Sequence, residues 1–187
     1  MDIKYEIEPI FQIEFFKIKC VYFKRKKEQI LDSLKKYAFR EKRFKNFNSN
    51  RHKSNKVIIK PNVEISLEHD LQEIFKDEFN LIREKFNSQI NVYNAWSVTY
   101  GKGDFHVPHN HGSSGYCGIL YLNMDKKSPV TTYIQPWNTE EDKTKLYKPP
   151  VKEGDIVIVP QFLYHYTEPN KIKFKKRIIS FDFKLNL

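Results

Sequence analysis

The first ninety residues contain one stretch of alternating polarity and two stretches of helical periodicity. Phe16 to Tyr22 alternates apolar and basic or polar positions, which predicts a half-buried strand. Apolar residues then recur every three or four positions after Lys26 and again from Leu71 to Phe86, which predicts two amphipathic helices. Asp70 and Glu73 have the spacing of a capping box at the start of the second helix.

After residue 90 the pattern changes to short β-rich runs separated by Gly, Pro and Asn. The predicted strands are Val92 to Tyr100, Tyr116 to Leu122, Val130 to Ile134, Asp155 to Val159, Leu163 to Tyr166 and Lys173 to Phe183. Regular short strands of this kind are typical of a sandwich, a barrel or a jelly roll. We therefore predict a mainly β protein with some α, in which residues 91–187 form a cupin-like double-stranded β-helix. Residues 1–90 would supply supporting helices, so that 1–187 is a single domain.

The positive charge is confined to the N-terminal third. Residues 1–60 contain 17 Lys and Arg and 7 Asp and Glu, a balance of +10, whereas residues 61–187 contain 16 of each. The stretch from Lys35 to Lys56 interleaves basic residues with Phe and Tyr, a pattern that could follow a phosphate backbone and stack bases. A solvated helix face that runs into an exposed loop would have the same composition.

The remaining composition indicates a cytoplasmic protein with no membrane partner. Uninterrupted apolar stretches are far shorter than the roughly 20 residues that cross a bilayer, and the N-terminus carries acids where a signal peptide carries bases. Cys20 and Cys117 lie far apart with no CxxC, which excludes a disulfide framework and a Cys-rich zinc site. A reducing compartment fits this cysteine usage.

Three of the six histidines fall in the hexapeptide HVPHNH, at His106, His109 and His111. In an extended strand residues i and i+2 point to the same face, so His109 and His111 can direct two imidazoles at one point. His165, on a later strand, offers a third ligand, and such a set suits zinc, copper, iron or nickel. The alternatives are that His111 bonds a turn carbonyl before Gly112 and that His165 is a buried core residue.

Three stretches resemble the 2-oxoglutarate and iron(II)-dependent oxygenase superfamily. They are YGKGDFHVPHNHGSSGYCGILYLN from Tyr100, EGDIVIVPQFLYHYTEPN from Glu153 and RIISFDF from Arg177. The pattern is closest to hydroxylases common in marine bacteria and phages, with HxH, SGxxYL, FPxxxxH and an Arg before SFN or SFD. The resemblance covers residues 91–187. It implies a double-stranded β-helix enzyme that hydroxylates an unidentified peptidyl, nucleic-acid or small-molecule substrate.

The resemblance also implies roles for the histidines and for the co-substrates. His109, His111 and His165 would hold iron(II) and leave three coordination positions for 2-oxoglutarate and dioxygen, with ascorbate as a reductant. The carboxylate ligand of most of the superfamily has no counterpart at the HxH motif. Asp104 is near enough in sequence to supply one.

The co-substrate needs a cation to pair with its distal carboxylate. Arg177 lies 12 residues after His165, near the offset of the superfamily's Arg, and is the preferred candidate. Period-2 alternation places Lys176 and Ser180 on one face and Arg177 on the other, so an inward Ser180 would favour Lys176 instead. Ser180 and Tyr121 are secondary candidates for contact with the co-substrate.

Two other interpretations of the chain remain open at this point. One is a cupin-like metalloenzyme with three His ligands that does not use 2-oxoglutarate. The other is a nucleic-acid-binding protein that acts through Lys35 to Lys56. The polar segment from Gln135 to Lys148 is long for a strand connection and predicts a loop that covers the substrate.

Overall fold

Two antiparallel β-sheets face each other in the computed structural model, which describes residues 12–37, 41–43, 55–57 and 66–186. The larger sheet contains, in spatial order, β1 (Phe16–Lys19), β9 (Asp155–Pro160), β6 (Tyr116–Asn123), β11 (Lys176–Asn186) and β4 (Gln89–Tyr100). The smaller sheet contains β5 (His106–His109), β10 (His165–Thr167), β7 (Thr131–Asn138) and β8 (Thr144–Tyr147). A separate ribbon pairs β2 (Glu41–Arg43) with β3 (Asn55–Val57). The predicted double-stranded β-helix is confirmed.

Every predicted strand overlaps an observed strand, but four further strands, β2, β3, β5 and β8, escaped the sequence pattern. All four residues of β8 are exposed, so no alternation marks them. In β5 the sequence HVPH offers a single aliphatic position beside a proline. The segment from Gln135 to Lys148, predicted to be a loop, instead lies mostly in the β7–β8 hairpin.

Three helices cover the outer face of the larger sheet. They are α1 (Phe23–Tyr37), α2 (Leu67–Ile74) and α3 (Lys76–Phe86), and they share one apolar core with that sheet. The Phe79 ring, for example, lies 5.3 Å from the Phe181 ring. The helices therefore support the sheet from outside, as predicted from their apolar stripes.

The second predicted helix is corrected in two respects. It is two helices, because Phe75 leaves the helical region with φ −105° and ψ 31° and serves as the C-cap of α2 and the N-cap of α3. The predicted capping box at Asp70 is also wrong. The Ser66 Oγ accepts from the His69 amide and begins the helix four residues earlier than Asp70 would, because Leu67 already packs in the core.

The two faces of β11 pack against different parts of the molecule. Ile179, Phe181 and Phe183 point to the helices, where Gly118 on β6 makes room for the Phe181 ring. A Cβ at Gly118 would lie 2.0 Å from Phe181 Cζ. Ile178 and its even-numbered neighbours point into the space between the two sheets, where a second apolar cluster lies. This inner space contains the histidines.

The basic stretch from Lys35 to Lys56 lies largely outside the described residues. Its proposed contact with nucleic acid stays a prediction. Within the part of the chain that the structure describes, no helix is both long enough and apolar enough to span a membrane.

Candidate active site

Three of the predicted site histidines meet between the sheets. His109 ends β5, His165 begins β10, and the two are directly opposite in the antiparallel pairing of these strands. His111 follows in the next loop, and its backbone amide donates to the Gln161 carbonyl at 3.0 Å. One ligand nitrogen from each histidine lies within 4.8 Å of the other two. Among the described residues this is the one group of three or more side chains that could hold a metal ion.

Hydrogen bonds fix the tautomer of all three rings. The Nδ1 atoms of His109 and His165 each bond the carbonyl oxygen two residues earlier, at 2.8 and 3.0 Å. The Nδ1 of His111 lies 2.6 Å from the Asp182 Oδ1. Since a backbone carbonyl or carboxylate oxygen accepts here, the Nδ1 of each ring is taken up by this bond, and Nε2 is the nitrogen left to face a metal. This is the usual state of imidazoles that bind a metal through Nε2.

Burial keeps His165 neutral. Its side chain is 3% exposed, and removal from water, with the nearby His109 and His111 rings adding to it, lowers its pKa to about 3 against the opposing effect of the Leu163 carbonyl. A neutral imidazole is the form that donates a lone pair to a metal. The site therefore needs no deprotonation at this residue near neutral pH.

The structure separates the two candidates for the carboxylate anchor. Lys176 is fully buried between the sheets, and its Nζ donates to the Pro129 carbonyl at 2.7 Å. Arg177 lies on the other face of β11, half-buried, and its Nε donates to the Thr99 Oγ1 at 3.0 Å. The structure thus does not bring Arg177, the preferred candidate, toward the histidines, because adjacent strand residues point to opposite faces.

Lys176 is a buried amine that lies beside two aromatic rings and a backbone carbonyl. Its Nζ lies 4.8 Å from the centre of the Tyr100 ring and 5.6 Å from that of Tyr121, and none of the ion pairs among the described residues includes it. Burial lowers the Lys176 pKa to about 7. An anion placed beside this amine would favour its charged form.

The secondary candidates have different surroundings. Ser180 is buried and lines the same cavity as the histidines. The Tyr121 hydroxyl accepts from the backbone amide of Thr131 at 3.3 Å, and its ring faces Lys176 rather than the histidines. Asp104 is not brought to the metal-ligand group, because its Oδ2 accepts from the Gly101 amide at 2.8 Å and closes its own turn.

The cavity that the three histidines and Ser180 line is narrow. It has a volume of about 20 Å³, which is room for about one water molecule. Val98, Ile119 and Ile178 form its apolar wall, and the Thr131 side chain reaches it with a buried hydroxyl that has no hydrogen-bond partner. An orphaned hydroxyl of this kind is what a polar co-substrate would satisfy.

Two residues of the site were missed from the sequence. Asp182 bonds His111, and its inward position on β11 follows from the same alternation that places Ser180 inward. His106 lines the cavity, with its ring stacked 4.3 Å from that of His109 and its Nδ1 3.3 Å from the Tyr100 hydroxyl. The HVPHNH sequence contains His106, but no pattern distinguishes its role from that of the ligands.

Comparison with protein families matches residues 94–182 to the family described as "Putative 2OG-Fe(II) oxygenase". This span includes His109, His111, His165 and Lys176. Comparison with curated proteins finds no match.

Solved structures with the same fold are distant in sequence. The non-heme α-ketoglutarate-dependent epimerase SnoN from nogalamycin biosynthesis superposes with a TM-score of 0.70 at 10% identity, covering 90% of this chain and 76% of SnoN. HygX from Streptomyces hygroscopicus, solved with nickel and 2-oxoglutarate, has a TM-score of 0.61 at 12% identity, covering 92% and 83%. A Pseudomonas putida prolyl-4-hydroxylase has a TM-score of 0.59 at 11% identity, covering 92% and 93%.

The fold and the histidine site together fit a metal-dependent enzyme built on a double-stranded β-helix. The family match over residues 94–182, in agreement with this fold, supports assignment of the chain to the 2OG-Fe(II) oxygenase superfamily. That family is described as one of oxygenases that use iron(II) and 2-oxoglutarate.

Proposed function

We propose that this oxygenase is a hydroxylase whose iron(II) is held by His109, His111 and His165 and whose 2-oxoglutarate is anchored by Lys176. The observation that carries the proposal is the convergence of one ligand nitrogen from each of the three histidines. The buried Lys176 lies against Tyr100, whose side chain lines the same cavity. Three ligands on one side of an octahedral ion leave positions open for co-substrates. The donor set therefore fits iron(II).

The chain's residues supply binding and orientation, and iron(II) with 2-oxoglutarate, when bound, supplies the activation of dioxygen that permits hydroxylation of a C–H bond. The hydrogen bonds at Nδ1 hold the three rings so that their Nε2 atoms face one point. The apolar wall of Val98, Ile119 and Ile178 keeps bulk water from that point.

Lys176 suits the distal carboxylate of the co-substrate in both charge and hydrogen bonding. An ammonium group has three donors, and the Pro129 carbonyl uses one of them. The orphaned hydroxyl of Thr131 offers a further polar contact. Because the cavity has a volume of about 20 Å³, the co-substrate enters only if lining side chains change their rotamers.

The substrate is an organic molecule of unassigned class: a peptidyl side chain, a nucleic acid or a small molecule. The structural neighbours include both an epimerase and a prolyl hydroxylase, so the shared fold does not choose among these classes. The described residues contain no observation that favours nucleic acid.

We also infer that residues 1–187 act as one domain in the cytoplasm. The helices and the larger sheet share one core, which supports a single unit. Cys20 and Cys117 are both free and buried, which suits a reducing compartment.

A second candidate is a three-His metalloenzyme that does not use 2-oxoglutarate. The narrow cavity and the lack of a carboxylate in the ligand group favour it. Three neutral imidazoles are an ordinary ligand set for several divalent metals.

Anaerobic titration of the apo-protein with iron(II), followed by 2-oxoglutarate, separates the two candidates. The proposal predicts a weak visible metal-to-ligand charge-transfer band that is lost in His165→Ala and needs much more 2-oxoglutarate in Lys176→Met. Arg177→Met is the matched control and should behave like the wild type. Metal binding without the band would favour the second candidate, and ascorbate can be added afterwards to test whether it sustains turnover.

A further inference from the structure

Asp182 is a buried carboxylate whose partner is a metal-ligand candidate. Its Oδ1 lies 2.6 Å from the His111 Nδ1, and the two side chains are 7% and 6% exposed. Its Oδ2 accepts from the Asn94 Nδ2 at 3.2 Å. Among the ion pairs of the described residues, no lysine or arginine joins Asp182. A charge buried in this way is costly unless another positive charge offsets it.

A divalent metal ion bound to the Nε2 of His111 would supply that positive charge. A divalent ion with three neutral imidazole ligands has a net charge of two. The same ion with two imidazoles and one carboxylate has a net charge of one. Counting Asp182 removes this difference. The carboxylate that is missing from the ligand group is therefore present just outside it. It hydrogen-bonds the His111 ring at Nδ1, on the side away from the metal position.

We propose that Asp182 is the charge partner and positioning residue of the metal centre, an inference that rests on the proposed iron site. His109 and His165 are held by nearby backbone carbonyls, which carry no net charge. His111 is the ligand held by a charged side chain from a strand 71 residues away in sequence. Asp182 makes this ring a stronger electron donor and aims its Nε2 at the metal.

The position of Asp182 on its strand makes it a rigid support. β11 is paired on both sides, with Asp182 opposite Asn94 of β4 and opposite Cys117 of β6. The Trp96 ring packs 5.2 Å from the His111 ring. Asp182 is not itself a ligand, because it lies at Nδ1 and is not part of the group whose ligand atoms converge.

The test compares metal binding in Asp182→Asn and in the wild type. Asparagine has nearly the same shape but no charge, so only the charge and the hydrogen-bond preference change. Asp155→Asn is the matched control, since Asp155 is also buried but accepts from the Lys152 amide at the opposite end of β9 from the histidines. Affinities for iron(II) are measured anaerobically, with the melting temperature of each apo-protein recorded beside them.

We expect Asp182→Asn to weaken iron(II) binding by about 10- to 100-fold, the usual effect of removing such a partner, with Asp155→Asn unchanged. The Fe(III)/Fe(II) reduction potential should rise in Asp182→Asn. The negative charge of Asp182 stabilises Fe(III) more than Fe(II), and the variant lacks this charge. Each tenfold larger loss of Fe(III) affinity corresponds to about 59 mV. A merely structural role for Asp182 would not raise the potential.

Asp182→Glu keeps the charge and carries the test if the Asn variant does not fold. It should retain affinity within about threefold of the wild type, well inside the usual loss. If the wild type binds iron(II) and Asp182→Asn binds it equally well, the role of Asp182 is overturned and the proposed function stays intact. The same conclusion follows if Asp182→Glu loses as much iron(II) affinity as Asp182→Asn. Absence of iron binding in the wild type overturns both.

Discussion

Replacing Lys176 by methionine should stabilise the protein while weakening co-substrate binding. In the folded chain burial lowers the Lys176 pKa from 10.5 to about 7. In the unfolded chain the amine returns to water and to its ordinary pKa. Between these two values the unfolded state holds a proton that the folded state releases, so the wild-type stability rises with pH across this window.

The size of the effect follows from the difference between the two pKa values. At about 1.4 kcal/mol for each pKa unit, the full cost of the charged, buried amine is about 5 kcal/mol below pH 7 and about 4 kcal/mol at pH 7, and it vanishes above pH 10.5. Methionine is similar in length and carries no charge. The hydrogen bond from Lys176 to the Pro129 carbonyl is lost in the variant, at a cost of about 1 kcal/mol. Lys176→Met should therefore be more stable by about 3 kcal/mol at pH 7.

Urea denaturation of the apo-protein from pH 7 to pH 10 measures this difference. The gain in Lys176→Met should shrink as the pH rises, since only the wild type gains stability from loss of this proton. Arg177→Met is the control, because Arg177 is half-exposed on the opposite face and bonds Thr99. Calorimetry with 2-oxoglutarate and the nickel-loaded protein should show wild-type affinity in the control and much weaker binding in Lys176→Met. A destabilised Lys176→Met at pH 7, or loss of binding in the control alone, would refute the reasoning.

Three further substitutions test the contacts of the helices and of the larger sheet by their urea midpoints. Gly118→Ala places a Cβ 2.0 Å from the Phe181 ring and should cost about 1–3 kcal/mol or more. Glu78→Gln leaves Lys26 buried without its 2.7 Å partner and should cost about 3 kcal/mol, because the exposed Asp77 still reaches the amine. Ser66→Ala removes the cap of α2 and should cost about 1 kcal/mol. An unchanged midpoint in any of these variants contradicts the corresponding contact.

The sequence pattern predicts those strands that carry a run or an alternation of buried apolar residues. The run from Asp155 to Val159 and the alternation near Arg177 both mark strands of the larger sheet, because that sheet is buried on its helix side and on its inner side. β8 has no buried residue and therefore no signature. The break at Phe75 also escaped prediction, since its side chain is as buried as that of any helix residue in the stripe.

The site was predicted as far as local spacing reaches. The i, i+2 spacing of His109 and His111 places them together, and His165 joins them through the pairing of β10 with β5. The choice between Lys176 and Arg177 depends on the face that β11 turns inward, and the register of β11 with β6 shifts just after Arg177. An irregularity of this kind arises from tertiary pairing, so one sequence does not reveal it.

A crystal structure of the iron(II) and 2-oxoglutarate complex, grown without oxygen and measured at the iron absorption edge, tests the central claim most directly. The account predicts one anomalous peak bound to the Nε2 atoms of His109, His111 and His165, with the distal carboxylate of 2-oxoglutarate at the Lys176 Nζ. A metal ligated by Asp104 or Asp182 in place of one of these histidines, or a co-substrate held by Arg177, would contradict it.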